Sequence, residues 1–200
     1  SRGLGDVYKR QSLFSALKNI DLSKYDSLAV GPGIGIDNDD WQKSKDILIS
    51  FEGLLILDAD ALNRISESKL GTKFFLERKF KTWITPHSKE FLRLFPNMKC
   101  KTNVGLAFDA AKEFKISILL KGANSIVADN EKVWQLFGTD SQTARAGLGD
   151  LLSGFIAGSS AIDLTFCRNI KTDFFAKYVL LHSFAASKCK NCLLYTSPSP

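Results

Sequence analysis

Short apolar runs alternate with amphipathic segments along most of the chain. Four apolar runs of strand length predict buried strands, and the segments that separate them have helical periodicity. A later pair of short runs, separated by Asn130 and Glu131, predicts a β-hairpin, and two apolar segments after it predict helices. Strands that alternate with helices indicate a three-layer α/β fold around a mainly parallel sheet. The four strands are expected to begin near Ser27, Leu54, Lys81 and Ile116. The hairpin is expected to cover 125–129 and 132–137. The last two helices are expected to end near Ile162 and Lys188.

Chemically distinctive residues follow each of the four strands. They are Gly31-Pro-Gly-Ile-Gly35, Asp58-Ala-Asp60, Thr85-Pro-His87 and Lys121-Gly122. In an open parallel sheet the carboxyl ends of the strands face the ligand crevice, so these residues are expected to gather at one edge of the sheet. Structural roles remain open at this point: either aspartate can cap a helix, the histidine can make a structural hydrogen bond, and the lysine can extend into solvent.

A run of small residues opens into an apolar helix near the end of the chain. Ala146, Gly147 and Gly149 carry little or no side chain, and the first-turn N–H groups of the following helix form an anion site. A phosphate would fit there. Asp150 lies at the mouth of this site, where a carboxylate can take a proton from an attacking hydroxyl. The alternative is a tight turn in which Asp150 only caps the helix. Asp39 or Asp40 is expected to cap an earlier helix.

Composition narrows the class of protein. The chain has 200 residues, of which 44% are hydrophobic and 24% charged, as in an ordinary soluble globular domain. The net charge of +6 comes from scattered basic residues, which disfavours nucleic acid as a partner, and no apolar run is long enough for a membrane span. Of the four cysteines, Cys192 lies in a terminal stretch that is set aside below. The other three, Cys100, Cys167 and Cys189, are widely spaced and predict a reduced, cytoplasmic protein without a zinc site, and no residue is assigned as a metal ligand.

Both ends of the chain resemble translated sequencing adapters. The stretch Asp6 to Gln11 is what GATGTGTATAAGAGACAG encodes, a DNA that resembles the end attached by a transposase in library preparation. The reverse complement, read one frame over, encodes Cys192 to Ser197. We therefore expect 1–11 and 192–200 to be non-native and the domain to cover 12–191.

Five motifs in this order resemble those of the ribokinase-like NAD(P)H-hydrate dehydratases. They are Gly31 to Gly35, Leu57-Asp-Ala-Asp-Ala-Leu-Asn63, Thr85-Pro-His87 with Glu90, Leu120-Lys-Gly-Ala123 and Ala146-Gly-Leu-Gly-Asp150. The resemblance implies a ribokinase-like fold whose N-terminal strands are missing here. It also implies a lyase that uses ADP or ATP with Mg²⁺ to restore hydrated NADH or NADPH. The ring hydroxyl is phosphorylated and phosphate is then eliminated. The resemblance leaves room for a homo-oligomer and for fusion to, or pairing with, an NAD(P)H-hydrate epimerase.

The resemblance also assigns site residues. Its hydrate contacts are Gly33, His87 and Asp150, with Asp150 as the catalytic base. Its nucleotide contacts are Lys121, Gly122, Ala123, Asn124, Ser125 and Gly149. One departure concerns the phosphate loop, where Leu148 replaces the usual threonine or serine and removes a hydroxyl near the phosphates.

Two other functions remain compatible with these motifs. A ribokinase-like kinase of a small hydroxymethyl heterocycle, such as a vitamin precursor, would share the glycine loop and the base. A non-catalytic nucleotide-binding module is the second alternative, given Leu148 and the missing strands. The Asp-Ala-Asp and Thr-Pro-His runs favour the dehydratase.

Overall fold

Six strands form one mixed sheet in the order β1-β2-β3-β4-β5-β6. The computed structural model describes residues 12–35, 37–137, 148–167 and 169–188. The first four strands are parallel, and the last two add an antiparallel hairpin. The predicted α/β architecture and the late hairpin are therefore confirmed. The strands are β1 (Ser27–Val30), β2 (Leu54–Leu57), β3 (Thr82–Ile84), β4 (Ser117–Leu120), β5 (Ser125–Ala128) and β6 (Val133–Leu136).

Helices cover both faces of the sheet and make a three-layer arrangement. They are α1 (Leu13–Lys18), α2 (Asn38–Ser50), α3 (Ala59–Glu67), α4 (Lys73–Glu77), α5 (Ser88–Leu94), α6 (Asn103–Phe114), α7 (Leu148–Phe166) and α8 (Thr172–Lys188). The helix α7 runs four residues past the predicted end at Ile162. No helix within the described ranges is both long and apolar enough to cross a membrane.

Alternate residues of the central strands enter two separate apolar cores. In β2, Leu55 and Leu57 pack with α2, α3 and α6, whereas Leu54 and Ile56 face α7 and α8. All four side chains are buried, because a parallel strand between two helical layers has no solvent-facing side. On the α8 side, Trp83 stacks on Phe175 with ring centroids 4.5 Å apart.

The carboxylates at the start of α2 make hydrogen bonds other than the predicted ones. Asp37 is the N-cap of α2, and its side chain accepts hydrogen bonds from the N–H groups of Asp39 and Asp40. The expectation that Asp39 or Asp40 caps this helix is wrong, because both lie in its first turn. Asp40 instead accepts from the N–H groups of Leu13 and Phe14, at 2.7 and 3.1 Å, and so fixes the start of α1 against α2.

A buried arginine connects the end of α2 to the beginning of β2. The guanidinium of Arg78 donates to the carbonyls of Leu48, Phe51 and Gly53 at 2.6, 2.5 and 2.5 Å. Burial lowers the pKa of Arg78 to about 10, so the group remains a cation at neutral pH. Its donors satisfy carbonyls in the last turn of α2 and just beyond it, which helical hydrogen bonds leave unpaired.

Candidate active site

The carboxyl ends of four strands meet at one edge of the sheet, as the sequence predicts. Hydrogen bonds between the residues just after the strands hold this edge together. Asp58 N–H donates to Val30 at 3.1 Å, and Thr85 N–H donates to Leu57 at 3.1 Å. Lys121 N–H then donates to Pro86 at 2.9 Å. The four distinctive motifs therefore lie side by side, although they are far apart in the sequence.

An ion pair between Asp58 and Lys121 spans this edge. The ammonium Nζ lies 2.7 Å from Asp58 Oδ1, and only 2% of the aspartate side chain is exposed, against 25% of the lysine. Asp58 is also the N-cap of α3, since its side chain accepts from Ala59 N–H at 2.9 Å. The sequence presented capping and function as alternatives for Asp58. In the structure one carboxylate caps α3 and pairs with Lys121, and a functional role for it stays a prediction.

The helix α7 is attached to the same carboxylate. Ser153, which is buried in α7, has its hydroxyl 2.6 Å from Asp58 Oδ2 and 3.0 Å from the carbonyl of Gly149. A Cβ built on Gly149 would lie 3.8 Å from Lys121 Nζ. The first turn of α7 is therefore beside the ammonium, and its N–H groups and the lysine form a cationic corner suited to phosphate.

Asp150 lies in the first turn of α7, with an exposed side chain. Because Leu148 and Gly149 before it are already helical, Asp150 lies inside the helix and does not occupy the N-cap position. The alternative in which it serves as the N-cap is therefore wrong, although its charge still complements the helix dipole. Ala146 and Gly147, the other small residues of the predicted phosphate loop, lie outside the described residues.

The glycine segment after β1 makes the other wall of the site. A Cβ on Gly31 would lie only 1.7 Å from the carbonyl oxygen of Asp58, and its φ of +145° disfavours any L side chain. Asp60 accepts from Gly35 N–H at 2.9 Å and holds the far end of the segment. Between them, Gly33 has a φ of +72°, and no atom of the described residues would lie within 4 Å of a Cβ placed there. The space at Gly33 is open, as a flat ring would require.

The side chain of His87 is held in place by hydrogen bonds at the start of α5, where His87 is the N-cap. Its Nδ1 accepts from the N–H groups of Lys89 and Glu90 at 3.1 and 3.3 Å, while Glu90 accepts from His87 N–H at 2.8 Å. This reciprocal capping box fixes Nδ1 as an acceptor and so leaves the proton of a neutral ring on Nε2. Nε2 lies 3.4 Å from Glu90 Oε1, and nearly half of the imidazole remains exposed. A structural role and access to a ligand therefore coexist at His87.

The turn after β4 is the last predicted contact segment. Gly122, Ala123 and Asn124 are exposed, and the hydroxyl of Ser125 donates to the carbonyl of Gly122 at 3.3 Å. A short backbone bridge joins Lys121 to His87, so this turn begins beside the histidine. The structure thus brings Gly33, His87, Lys121 and the start of α7 to one edge, while the roles assigned to them remain predictions.

The contact of Ser153 with Asp58 was not predicted from the sequence. Ser153 lies four residues after Gly149, and therefore on the same side of the helix, which is the signal that could have identified it. As for metals, the described residues contain no group of three His, Cys, Asp or Glu side chains able to hold an ion.

Comparisons with known proteins agree with this geometry. The family model Carb_kinase, described as NAD(P)H-hydrate dehydratase, matches residues 6–196. A bifunctional NAD(P)H-hydrate repair enzyme, Nnr, from Synechocystis sp. is 34% identical over 145 residues, which make up 72% of this chain and 27% of that protein. The chain thus spans about a quarter of the length of the bifunctional relatives that it matches.

Solved structures show the same fold. A structure of the ADP/ATP-dependent NAD(P)H-hydrate dehydratase from Bacillus subtilis, co-crystallised with ATP/Mg²⁺, is 26% identical with a TM-score of 0.58, over 72% of this chain and 51% of that one. A second structure of that enzyme, also soaked with CoA, has a TM-score of 0.68 at 24% identity, over 88% and 62% of the two chains. Because the family model covers nearly the whole sequence, this chain belongs to the NAD(P)H-hydrate dehydratase family.

Proposed function

We propose that the protein containing this chain dehydrates the hydrated, inactive forms of NADH and NADPH, with a nucleotide as the phosphate donor. The observation that carries the proposal is the cationic corner, where Lys121 Nζ lies beside the first turn of α7 and Asp150 follows within that turn. Family membership supports the same reaction, as do the names of the relatives.

The nucleotide is assigned to the side of the corner formed by β4 and α7. Its phosphates would contact Lys121 and the N–H groups of Gly149 and its neighbours, because a helix N-terminus and an ammonium both attract anions. The exposed turn at 122–125 would hold the rest of the nucleotide. The relative from B. subtilis is named as ADP/ATP-dependent, so either nucleotide is a candidate donor.

Magnesium would be held mainly by the phosphates. Mg²⁺ keeps several waters and uses only one or two protein carboxylates when it is bound with a nucleotide. Asp150 supplies an exposed carboxylate in the first turn of α7 that fits this mode. When bound, the ion would neutralise phosphate charge.

The hydrated nicotinamide ring is assigned to the opening between Gly33 and His87. Gly33 leaves space for a flat ring, and His87 Nε2–H can donate to it. Asp150 would take the proton of the ring hydroxyl as that oxygen attacks the terminal phosphorus, and the shortened nucleotide would leave. Breaking the ring C–O bond then releases phosphate, and loss of a ring proton restores the double bond of the reduced nicotinamide.

We also propose that this activity works in the cytoplasm together with an NAD(P)H-hydrate epimerase, fused to the chain or separate. The matched relatives are named as bifunctional repair enzymes, and this chain covers about a quarter of their length. A second activity in the rest of such a protein would supply the epimer that the dehydratase uses.

Turnover distinguishes the proposed reaction from the alternatives. Purified protein is mixed with hydrated NADH and with ADP or ATP, and both reduced-nicotinamide absorbance and released phosphate are followed. The dehydratase should produce both signals in equal amounts. A kinase of a small heterocycle would instead accumulate a stable phosphorylated product from its own substrate, and a binding module would bind ADP in calorimetry without turnover. Either of these last results would overturn the proposal.

A further inference from the structure

Asp58 is a buried carboxylate that has no role in the reaction proposed above. Its two oxygens are occupied by Lys121 Nζ at 2.7 Å and Ser153 Oγ at 2.6 Å, and Oδ1 also accepts from Ala59 N–H at 2.9 Å. The side chain is 2% exposed. A carboxylate in this position is shielded from a substrate, so its contribution must act through the groups that it holds.

The groups that Asp58 holds are parts of the proposed nucleotide site. Lys121 is the ammonium of the cationic corner, and one of its three donors is directed at Asp58. Ser153 belongs to α7, and its hydroxyl also lies 3.0 Å from the carbonyl of Gly149 in the first turn. One carboxylate therefore fixes the distance between the lysine and the helix start across three separate segments of the chain.

The backbone on either side of Asp58 has two unusual features, a positive φ at Ala59 and a very close approach to Gly31. Ala59 has a φ of +46°, a left-handed conformation that residues with a Cβ rarely adopt. On the other side, the carbonyl of Asp58 lies so close to Gly31 that a Cβ there would be 1.7 Å away. Strained backbone of this kind persists where surrounding contacts over-determine it, and it clusters at functional sites.

We propose that Asp58 is a positioning residue, which orients the Lys121 ammonium and, through Ser153, the first turn of α7 for phosphoryl transfer. This inference rests on the proposed function for its kinetic consequence, but the orientation itself can be tested without turnover. The physical reason is that an unpaired ammonium on a flexible four-carbon side chain samples many positions, whereas an ion pair to a buried carboxylate selects one.

The kinetic test is Asp58→Asn, which keeps the shape of the side chain and removes its charge. The Lys121 charge and the backbone donors of α7 remain, so the ADP Kd should stay within about threefold of the wild-type value. Misplacement of the ammonium should lower kcat by roughly 10-fold to 100-fold, the size expected for a displaced catalytic group. Ser153→Ala keeps the Lys121 ion pair and removes the hydroxyl that links Asp58 and Gly149. It should lower kcat by a smaller factor, again with little change in Kd.

A second measurement is independent of activity. The ¹⁵Nζ signal of Lys121, assigned by its loss in Lys121→Arg, reports whether the ammonium is held in an ion pair. In Asp58→Asn its proton exchange should accelerate by about tenfold or more, because the charged partner is gone. Asp60→Asn is the matched control: Asp60 bonds Gly35 rather than Lys121, so the Lys121 signal should not change.

The outcomes separate this inference from the proposed function. If the wild type lacks dehydratase turnover but the Lys121 signal depends on Asp58, the proposed function fails while the orientation by Asp58 stands. If Lys121 exchange is the same in Asp58→Asn and wild type, the inference is wrong whatever the activity. A folded Asp58→Asn protein with kcat within twofold of wild type, or with ADP binding weakened more than tenfold, would also overturn it.

Discussion

Asp150 is the residue on which the proposed chemistry depends most directly. Asp150→Asn keeps the size of the side chain and removes the base, so kcat should fall by about 10²–10⁴ while the nucleotide Kd changes little. The unfolding free energy should fall by less than about 1 kcal/mol, since only a charge–dipole interaction is lost. Steady-state kinetics, calorimetry and thermal unfolding measure the three quantities.

Asp173 provides the control for Asp150. It is an exposed carboxylate in the first turn of α8, and Thr172 next to it bonds Ser117 at the opposite, amino end of β4. Asp173→Asn should cause the same small loss of stability without a loss of kcat. Equal kcat for the wild type and Asp150→Asn would remove Asp150 from the mechanism.

Ala59 is strained, and glycine should relieve that strain. A left-handed conformation costs an L residue roughly 1–2 kcal/mol, whereas glycine adopts it freely but loses more entropy on folding. We expect Ala59→Gly to raise the unfolding free energy by about 0.5–1 kcal/mol, measured by urea denaturation. Ala61→Gly, in the buried interior of the same helix, should instead lower it by about 1 kcal/mol or more. Destabilisation by Ala59→Gly would argue against stored strain.

At the residue scale, the sequence identified positions but not partners. Lys121, His87 and Asp150 were expected at one edge because each follows a strand or opens a helix, which is local information. The pairing of Lys121 with Asp58 could not be predicted, because the two are 63 positions apart and β3 lies between their strands. The same holds for Ser153, whose contact with Asp58 spans 95 positions.

The side chain of Arg78 stabilises the C-terminal end of α2. Arg78→Met would leave the carbonyls of Leu48, Phe51 and Gly53 without their donor, and each unsatisfied buried carbonyl costs about 1–3 kcal/mol. We expect a loss of about 3 kcal/mol or more in the free energy of unfolding, measured by chemical denaturation. Arg93→Met removes an exposed arginine that donates to Asn63 at the surface and should change stability by less than about 0.5 kcal/mol. Similar losses in both variants would refute the assignment.

At the element scale, periodicity and turn residues predicted the six strands and the helices α2, α3, α5, α6, α7 and α8. The short helices α1 and α4 were not predicted. The apolar runs became strands because a short, mainly apolar segment with helices on both faces of the sheet is buried on both sides. The start of α2 was misassigned by two or three residues, because Asp37, Asp39 and Asp40 are all able to cap and only the backbone conformation at Asp37 selects one.

The outer surface of α7 and α8 exposes an unusual number of large apolar side chains, here called the α7–α8 face. Exposed apolar side chains that are grouped on two helices packed against each other should bind a hydrophobic dye. Phe184→Ser with Leu181→Ser should reduce dye fluorescence with a change of melting temperature below about 2 °C, because both residues are outside the core. Leu92→Ser, on α5, is the control and should leave dye binding unchanged. The face consists of Leu151, Phe155, Ile162, Phe166, Leu180, Leu181 and Phe184.

The dye experiment has a clear contrary result. Unchanged fluorescence in the Phe184 and Leu181 variant would show that the α7–α8 face does not bind the dye.

We also propose that the native domain covers 12–191 and that 1–11 and 192–200 are translated adapter. The proposal rests on the match of both terminal stretches to opposite strands of one DNA sequence. Removing both stretches should leave the melting temperature of the domain unchanged, as measured by calorimetry. A lower melting temperature after removal would show that they contribute to the fold.

For the whole molecule, the sequence by itself determined the fold class, the order of the elements and the edge of the sheet at which the distinctive residues gather. These follow from local patterns: strand-length apolar runs, helical periodicity, and polar residues placed where strands end. Only the tertiary structure decided which charged and polar side chains pair with one another. Such pairing depends on the order of the strands in the sheet and on the face of the sheet against which α7 packs. The ion pair of Lys121 with Asp58 and its link to Ser153 exist only once β2, β4 and α7 are packed together.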